Sequence, residues 1–226
     1  MKTIRLAALC LGLSLSMAAA AGERVYTYQL TVDASGRVER LVSQAPATDA
    51  QAANVAAQVR QWRFEPAVAG QSADASTYLR VIAREQGEGM AIIDAHTGPR
   101  PVSLAQPAYP QDDQRRGREG VVVLKLDLDA AGNVSDARVQ GIHGDVSRGM
   151  GEAALAAAKG WRFEPERVGG QARAASVLMP VCFASDAGEG MCAWTGPGDR
   201  RHGSRELVSL TPVLRPSDAG QLFAGR

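Results

Sequence analysis

The chain has 226 residues, and its 25 basic and 24 acidic residues give a formal net charge of +1. Such a balanced charge provides no electrostatic attraction towards nucleic acid or anionic lipid, so it argues against both as partners.

The first 21 residues predict a secretory signal. Lys2 and Arg5 form the positive start, residues 6–17 the apolar stretch, and residues 18–21 the small side chains that signal peptidase accepts. The alternative is an uncleaved membrane anchor, but residues 6–21 are fewer than the ~20 that a spanning helix needs. We expect cleavage near Ala21, which leaves 23 basic (25 − 2) and 24 acidic residues and no integral membrane span in the mature chain.

An internal repeat organises the rest of the sequence. The pentapeptide Trp-Arg-Phe-Glu-Pro occurs at Trp62–Pro66 and again at Trp161–Pro165. Asp33-Ala-Ser-Gly and Asp129-Ala-Ala-Gly are separated by 96 positions (129 − 33), as are Glu23 and Glu119. The sequence therefore predicts two diverged copies of one module of roughly 80 residues, each a small domain.

Each copy begins with a predicted strand and hairpin. Apolar residues alternate with mostly polar ones, which indicates a strand with one buried face. The inward positions are Tyr26, Tyr28, Leu30 and Val32 in the first copy and Val122, Leu124, Leu126 and Leu128 in the second. A glycine turn then leads to a less similar return strand.

A helix and a third strand complete each copy. The apolar spacing of Val55, Val59 and Trp62 recurs at Ala154, Ala158 and Trp161, and the following prolines end the helix. Both tryptophans are predicted to be core anchors. Pro180 lies in the third strand, which suggests an exposed sheet edge. The predicted fold class is α+β, with two tandem β-β-α-β modules, each a helix packed on a three-stranded antiparallel sheet.

These elements divide the chain into five segments. We assign residues 1–21 to the signal, 23–84 to the first module, 85–106 to a linker, 107–184 to the second module and 185–226 to a tail. As a flexible coil the linker would span ~25 Å, enough to join neighbouring domains. In the tail, Leu207–Leu214 alternates weakly, which fits either an added strand that covers the exposed edge or disorder.

Two cysteines remain in the mature chain. Cys182 and Cys192 form an even pair in an exported protein, which favours a disulfide over two free thiols or a redox pair. Their spacing is not the C-x-x-C of thioredoxin-like chemistry.

The sequence contains no recognisable catalytic constellation. His96, His143 and His202 are scattered over linker, loop and tail, without metal-ligand spacing. Asp127 and Asp129 on an outward strand face are interpreted as solubilising charges. We therefore expect no enzymatic activity, no cofactor and no metal.

Taken together, the second copy resembles the C-terminal domain of the TonB energy-transducer family. The resemblance is carried by Pro107-Ala-Tyr-Pro110, the run Gly120–Val134, the stretch Ala154–Pro165, Gly169-Gly170 and Val177–Phe183. The first copy resembles the same domain without the Tyr-Pro lead-in. The family's long proline-rich spacer is missing before Arg24, which argues against direct energy transduction.

The resemblance implies a binding module in the periplasm. In the family, the last strand of this domain pairs with an extended segment of an outer-membrane transporter plug, by addition of a strand to a sheet edge. The matching positions here are Ala174, Ala175, Ser176, Val177, Leu178, Met179, Pro180, Val181, Cys182 and Phe183.

Three functions remain open from the sequence. The favoured one is an exported, non-enzymatic binding protein linked to TonB-dependent envelope transport. The first alternative is an energy transducer anchored in the inner membrane. The second is a structural or assembly protein in which the two modules pair with each other or the tail covers the edges.

Overall fold

The structure is a computed structural model that describes residues 23–46, 48–68, 70, 74–87, 89–184, 192–203 and 206–217. The signal predicted over residues 1–21 lies outside the described residues. Strands predominate over helices, which agrees with the mixed α+β class predicted from the sequence.

The first half contains six strands and one helix among its described residues. They are β1 (Arg24–Val32), β2 (Val38–Ser43), α1 (Ala50–Val59), β3 (Phe64–Pro66), β4 (Ala75–Gln86), β5 (Gly89–Gly98) and β6 (Arg100–Ser103).

The second half follows the same order after a short helix and adds small strands. They are α2 (Gln111–Arg115), β7 (Gly120–Leu128), β8 (Val134–Gly144), α3 (Arg148–Ala158), β9 (Arg162–Glu164), β10 (Arg167–Val168), β11 (Gln171–Ala172) and β12 (Ala175–Phe183). The tail contributes β13 (Trp194–Thr195), β14 (Arg201–His202), β15 (Val208–Ser209) and β16 (Leu214–Pro216).

Two antiparallel sheets form the framework. In the first, β1 lies between β2 and β4, and the other edge of β4 pairs with β5 and with β10 from the second half. In the second, the order is β15-β12-β7-β8. Each sheet packs one helix on one face, and each helix has a side-chain N-cap, Asp49 for α1 and Ser147 for α3.

Each hairpin turn is tied to the strand that follows the helix. Gly132 has a φ of 82° and accepts a hydrogen bond from the Phe163 N–H at 2.8 Å, and a Cβ there would lie 1.8 Å from the Phe163 carbonyl oxygen. Gly36 has the same relation to Phe64, with the same two distances. Only glycine allows this close approach at positive φ.

Two hydrophobic cores result. Trp62 is 5% exposed in the first core and Trp161 is 2% exposed in the second, which confirms that both are core anchors. The core-facing positions predicted on β1 and β7 are also buried. Val168 of the second half, and Val213 and Leu214 of the tail, belong to the first core. The first core is therefore completed by residues distant in sequence.

The described residues of the predicted linker, 85–87 and 89–106, are mostly strand rather than flexible coil. Here β4 continues to Gln86, and residues 89–103, which we call the linker arm, form β5 and β6. The linker arm is ordered because Met90, Ile92 and Ala95 pack against the first core.

The tail has a corresponding arm. Residues 206–217, which we call the tail arm, form β15 on the second sheet and then β16, which pairs with β3 of the first half. The linker arm does the reverse, since β5 pairs with β4 and β6 crosses to β9. Pro101 lies opposite Phe163, and Pro216 lies opposite Phe64. In each arm, an Arg-Pro dipeptide therefore pairs with the short strand that one copy of the pentapeptide forms.

Candidate functional site

The strand β12 contains nine of the ten residues predicted to bind a partner, and Ala174 immediately precedes it. It pairs with β7 along its whole length. Val177, Met179, Val181 and Phe183 face α3 and belong to the second core. These side chains stabilise the module, so they are not available for a partner.

Alternate residues of β12 direct their main-chain N–H and C=O groups towards the outer edge of the sheet, away from β7. The Ser176 carbonyl accepts from the Leu210 N–H at 2.8 Å, and the Ser176 N–H donates to Thr211 Oγ1 at 2.9 Å, so both groups of Ser176 point away from β7. Period two places the polar groups of Leu178, Pro180 and Cys182 on the same edge. Proline has no N–H, so Pro180 contributes only its carbonyl.

The tail arm covers the first part of this edge. Val177 lies opposite Ser209 and Leu178 opposite Val208, and no described residue pairs with β12 beyond Leu178 on this side. Of the two readings of Leu207–Leu214, the structure therefore has the added strand. The outer carbonyl of Pro180 and the N–H and C=O of Cys182 lie beyond the region where β15 pairs.

The second face of β12 is covered by a disulfide-tethered segment. Cys182 and Cys192 are bonded, with their Cα atoms 5.5 Å apart, as the sequence predicted. Cys192 and Trp194 pack on Leu178, Val121 and Val123. Alternation with the inward positions of β7 predicts that Val121 and Val123 face outward, yet both are buried because Cys192 and Trp194 cover them. The apolar side chains of these two valines were the sequence signal that could have predicted their burial.

A buried polar cluster connects both halves and the tail arm. Glu166 is 1% exposed, and its Oε1 accepts from Thr77 Oγ1 at 2.6 Å and from the Val213 N–H at 3.4 Å. Burial raises the pKa of the Glu166 carboxyl. Arg80, 5% exposed, donates to the Pro99 carbonyl at 2.9 Å. Sequence reasoning missed this cluster because its members are far apart in the chain.

Two of the histidines that looked scattered are neighbours. His96 on β5 contacts the Leu207 carbonyl through Nε2 at 3.2 Å. Burial, and then the positive charge of Arg80, lower its pKa from 6.5 to about 4, with His202 acting in the same direction and Asp94 opposing it. His202 stacks on Trp194 with ring centroids 4.9 Å apart. His143 lies on β8 rather than in a loop.

The pKa of His96 predicts that acid weakens the fold. Because its pKa is 6.5 when unfolded and about 4 when folded, the unfolded chain takes up the proton first as pH falls. The protonation of His96 leaves the free energy of unfolding unchanged above pH 6.5 and lowers it as the pH falls from 6.5 to 4. His96→Gln should reduce the loss between pH 7.5 and pH 5 by about 2 kcal/mol in urea unfolding. His143→Gln should retain the full loss, and equal pH dependence of the two variants would contradict this assignment.

Two properties of the described residues bear on other functions. No described helix combines the length and the apolar character that a membrane span requires. Within the same residues, His, Cys, Asp and Glu do not form a group of three or more that could hold a metal ion.

Comparison with known proteins relates the second module to one family. Residues 105–184 match the model of the Gram-negative bacterial TonB protein C-terminal. Protein TonB of Xanthomonas campestris pv. campestris is 40% identical over 82 residues, 36% of this chain and 36% of that protein. Protein tonB2 of Pseudomonas aeruginosa is 36% identical over 77 residues, 34% of this chain and 28% of that protein. The chain thus spans about a third of the length of these curated relatives.

A solved structure is also similar. The solution NMR structure of the Pseudomonas aeruginosa TonB CTD has 29% sequence identity, a TM-score of 0.33, and covers 40% of this chain and 89% of its own. A TM-score of this size does not establish a common fold. The family match nevertheless confirms the TonB C-terminal resemblance for the second module, and it ends one residue beyond β12.

Proposed function

We propose that this protein is an exported, non-enzymatic binding protein of TonB-dependent envelope transport. Its second module, residues 107–184, would bind an extended segment of a protein partner along the outer edge of β12. The observation that carries the proposal is the family match over residues 105–184, which includes the whole of β12. The partner proposed is a plug segment of an outer-membrane transporter, met in the periplasm after cleavage near Ala21.

The groups that would bind this segment are main-chain groups. Strand addition derives affinity from main-chain hydrogen bonds. Beyond β15, the outer edge of β12 presents the carbonyl of Pro180 and both polar groups of Cys182. The contact is therefore short, and its register is set by the point, after Leu178, at which the pairing with β15 stops.

We further propose that residues 23–84 are a diverged copy of the second module. The same order of strand, strand, helix, short strand and long strand supports this. So does the matching contact of Gly36 with Phe64 and of Gly132 with Phe163. The family match does not extend to the first half, so this relation rests on the internal repeat.

A structural or assembly role is the second candidate. Its supporting observation is that β5 lies along β4 and β15 lies along part of β12, so strands of the same chain cover both edges. A protein with this role would bind no transporter segment.

Removing one main-chain donor should separate these functions. We expect Cys182→Pro with Cys192→Ala to weaken binding of a transporter-plug peptide by up to about tenfold, because one hydrogen bond is lost. The matched control, Cys182→Ala with Cys192→Ala, also lacks the disulfide but keeps the N–H. Isothermal titration should show tighter binding by the control. Equal affinity of the two variants would place the peptide elsewhere, and no binding to the wild-type protein would favour the structural role.

A further inference from the structure

The two long strands that end the modules have equivalent neighbours. Leu79 of β4 lies opposite Tyr28, and Met179 of β12 lies opposite Leu124. Tyr28 and Leu124 are 96 positions apart, the spacing of the repeat. The outer edge of β4 in the first module is therefore the counterpart of the candidate binding edge in the second.

In the first module this edge is occupied by the linker arm. The strand β5 pairs antiparallel with β4 from Tyr78 to Gln86, with one bulge between Ile82 and Ala83. Residues Ala75 and Ser76, at the start of β4, pair with β10. Almost the whole outer edge of β4 is thus bonded to strands of the same chain.

Side chains and the helix hold β5 in this position. Ala95, opposite Val81, and Ile92, opposite Ala83, pack against the first core. Gln58 Nε2 of α1 donates to the Met90 carbonyl at 2.9 Å. The linker arm therefore adds a full strand, with apolar side chains towards the helix.

The second module differs at the matching positions. Within the described residues, β15 pairs with Val177 and Leu178 alone, whereas β5 pairs along most of β4. Pro180 stands where the first module has Arg80, so the edge lacks one donor there. Cys182 and Ala184 are partly exposed, whereas Pro180, Val181 and Phe183 are buried. Among the described residues, β12 from Pro180 onward thus has no strand partner on its outer edge, unlike the matching part of β4.

We infer that β5 is a built-in occupant of the first module, so that within the part of the chain that the structure describes one last-strand edge is left for a partner, that of β12 from Pro180 to Phe183. The occupant of that edge is an extended segment antiparallel to β12. Its apolar side chains lie opposite Val181 and Phe183, as those of Ala95 and Ile92 lie opposite Val81 and Ala83. The identity of this partner rests on the proposed function, while the occupancy of β4 by β5 does not.

The inference is tested by releasing β5. In the variant Ile92→Lys with Ala95→Lys, charges replace two side chains that pack on the first core, which should detach β5 from β4. Ile93→Lys is the matched control because Ile93 lies in the bulge, outside the paired residues. We expect outer-edge β4 amides, such as that of Arg80, to exchange with solvent at least about tenfold faster in the double variant and to be unaffected in the control.

A synthetic peptide of residues 89–98 provides the complementary measurement. Added to the double variant, it should slow exchange at β4 again, and added to the wild-type protein it should leave β4 unchanged. Unaltered β4 exchange in the double variant, or no effect of the peptide on it, would overturn the inference.

Amide mapping on the wild-type protein covers the case in which the double variant does not fold. A transporter-plug peptide should shift the signals of Cys182 and Phe183 and leave those of β4 unshifted. Shifts along β4 as well would overturn the inference. A third outcome is that the plug peptide shifts neither strand, while the peptide of residues 89–98 still slows amide exchange at β4 in the double variant. This outcome would refute the proposed function but would leave the occupancy of β4 by β5 in place.

Discussion

Leu214→Ala is expected to lower the free energy of unfolding by about 2–5 kcal/mol, the cost of truncating a buried leucine. Leu214 is fully buried in the first core, although it lies in the tail. It pairs with Pro66 on β3, and its carbonyl accepts a hydrogen bond from Thr97 Oγ1 at 2.6 Å. A tail residue should therefore control the stability of the N-terminal half.

Urea unfolding monitored by circular dichroism measures this effect. Leu210→Ala is the matched control, since Leu210 lies on the same arm and is 37% exposed. Its loss should be below about 1 kcal/mol, as for substitutions away from a packed core. Similar losses for the two variants would mean that the tail arm does not complete the first core.

Glu166→Ala is expected to cost about 3 kcal/mol or more. The substitution leaves the Thr77 hydroxyl and the Val213 N–H without their acceptor and removes the negative charge that stabilises the buried Arg80. Each buried polar group that loses its partner costs about 1–3 kcal/mol, and here two such groups lose their acceptor. The loss should extend to both halves, because Thr77, Glu166 and Val213 belong to three different parts of the chain.

Glu164→Ala is the control for this effect. Glu164 lies two residues earlier, and its side chain is 40% exposed in an ion pair with Arg100 at 2.7 Å. Exposed pairs contribute little, so the loss should stay within about 1 kcal/mol. If Glu164→Ala destabilised the protein as much as Glu166→Ala, the buried cluster would not be the connection between the halves.

The local elements could be predicted from the sequence because their signals are local. Alternation on β1 and β7 and the spacing before Trp62 and Trp161 identify strands, helices and core anchors without any distant partner. The Cys182–Cys192 bond also followed from the pairing of the only two cysteines outside the first 21 residues.

The two arms could not be predicted in this way. Alternation in the linker arm is interrupted at Ile93 by a bulge, and β15 has only two residues. Their stability comes from strands and cores far away in the chain. The sequence did contain one signal for the arms, the Arg-Pro dipeptide that occurs in each of them, at Arg100-Pro101 and at Arg215-Pro216. In the structure, these dipeptides pair with the strands formed by the two pentapeptides.

The surroundings of the candidate site on β12 could likewise be predicted only in part. The family resemblance identified β12, but it did not reveal that the tail arm covers Ser176 to Leu178 or that Cys192 and Trp194 cover one face. Both features depend on tail residues outside the family match. The part of the β12 edge that β15 does not pair with is therefore shorter than the ten residues predicted from the sequence, and their role in binding stays a prediction.

Site-specific photo-crosslinking in the native envelope tests the central claim most directly. A photoreactive phenylalanine analogue would replace Ala184, which directly follows β12 and is partly exposed, or Arg84, its exposed counterpart on β4. We predict an adduct with an outer-membrane transporter from position 184, identified by mass spectrometry at its plug segment, and none from position 84. Transporter adducts from both positions, or from neither, would contradict the claim that the second module alone binds this partner.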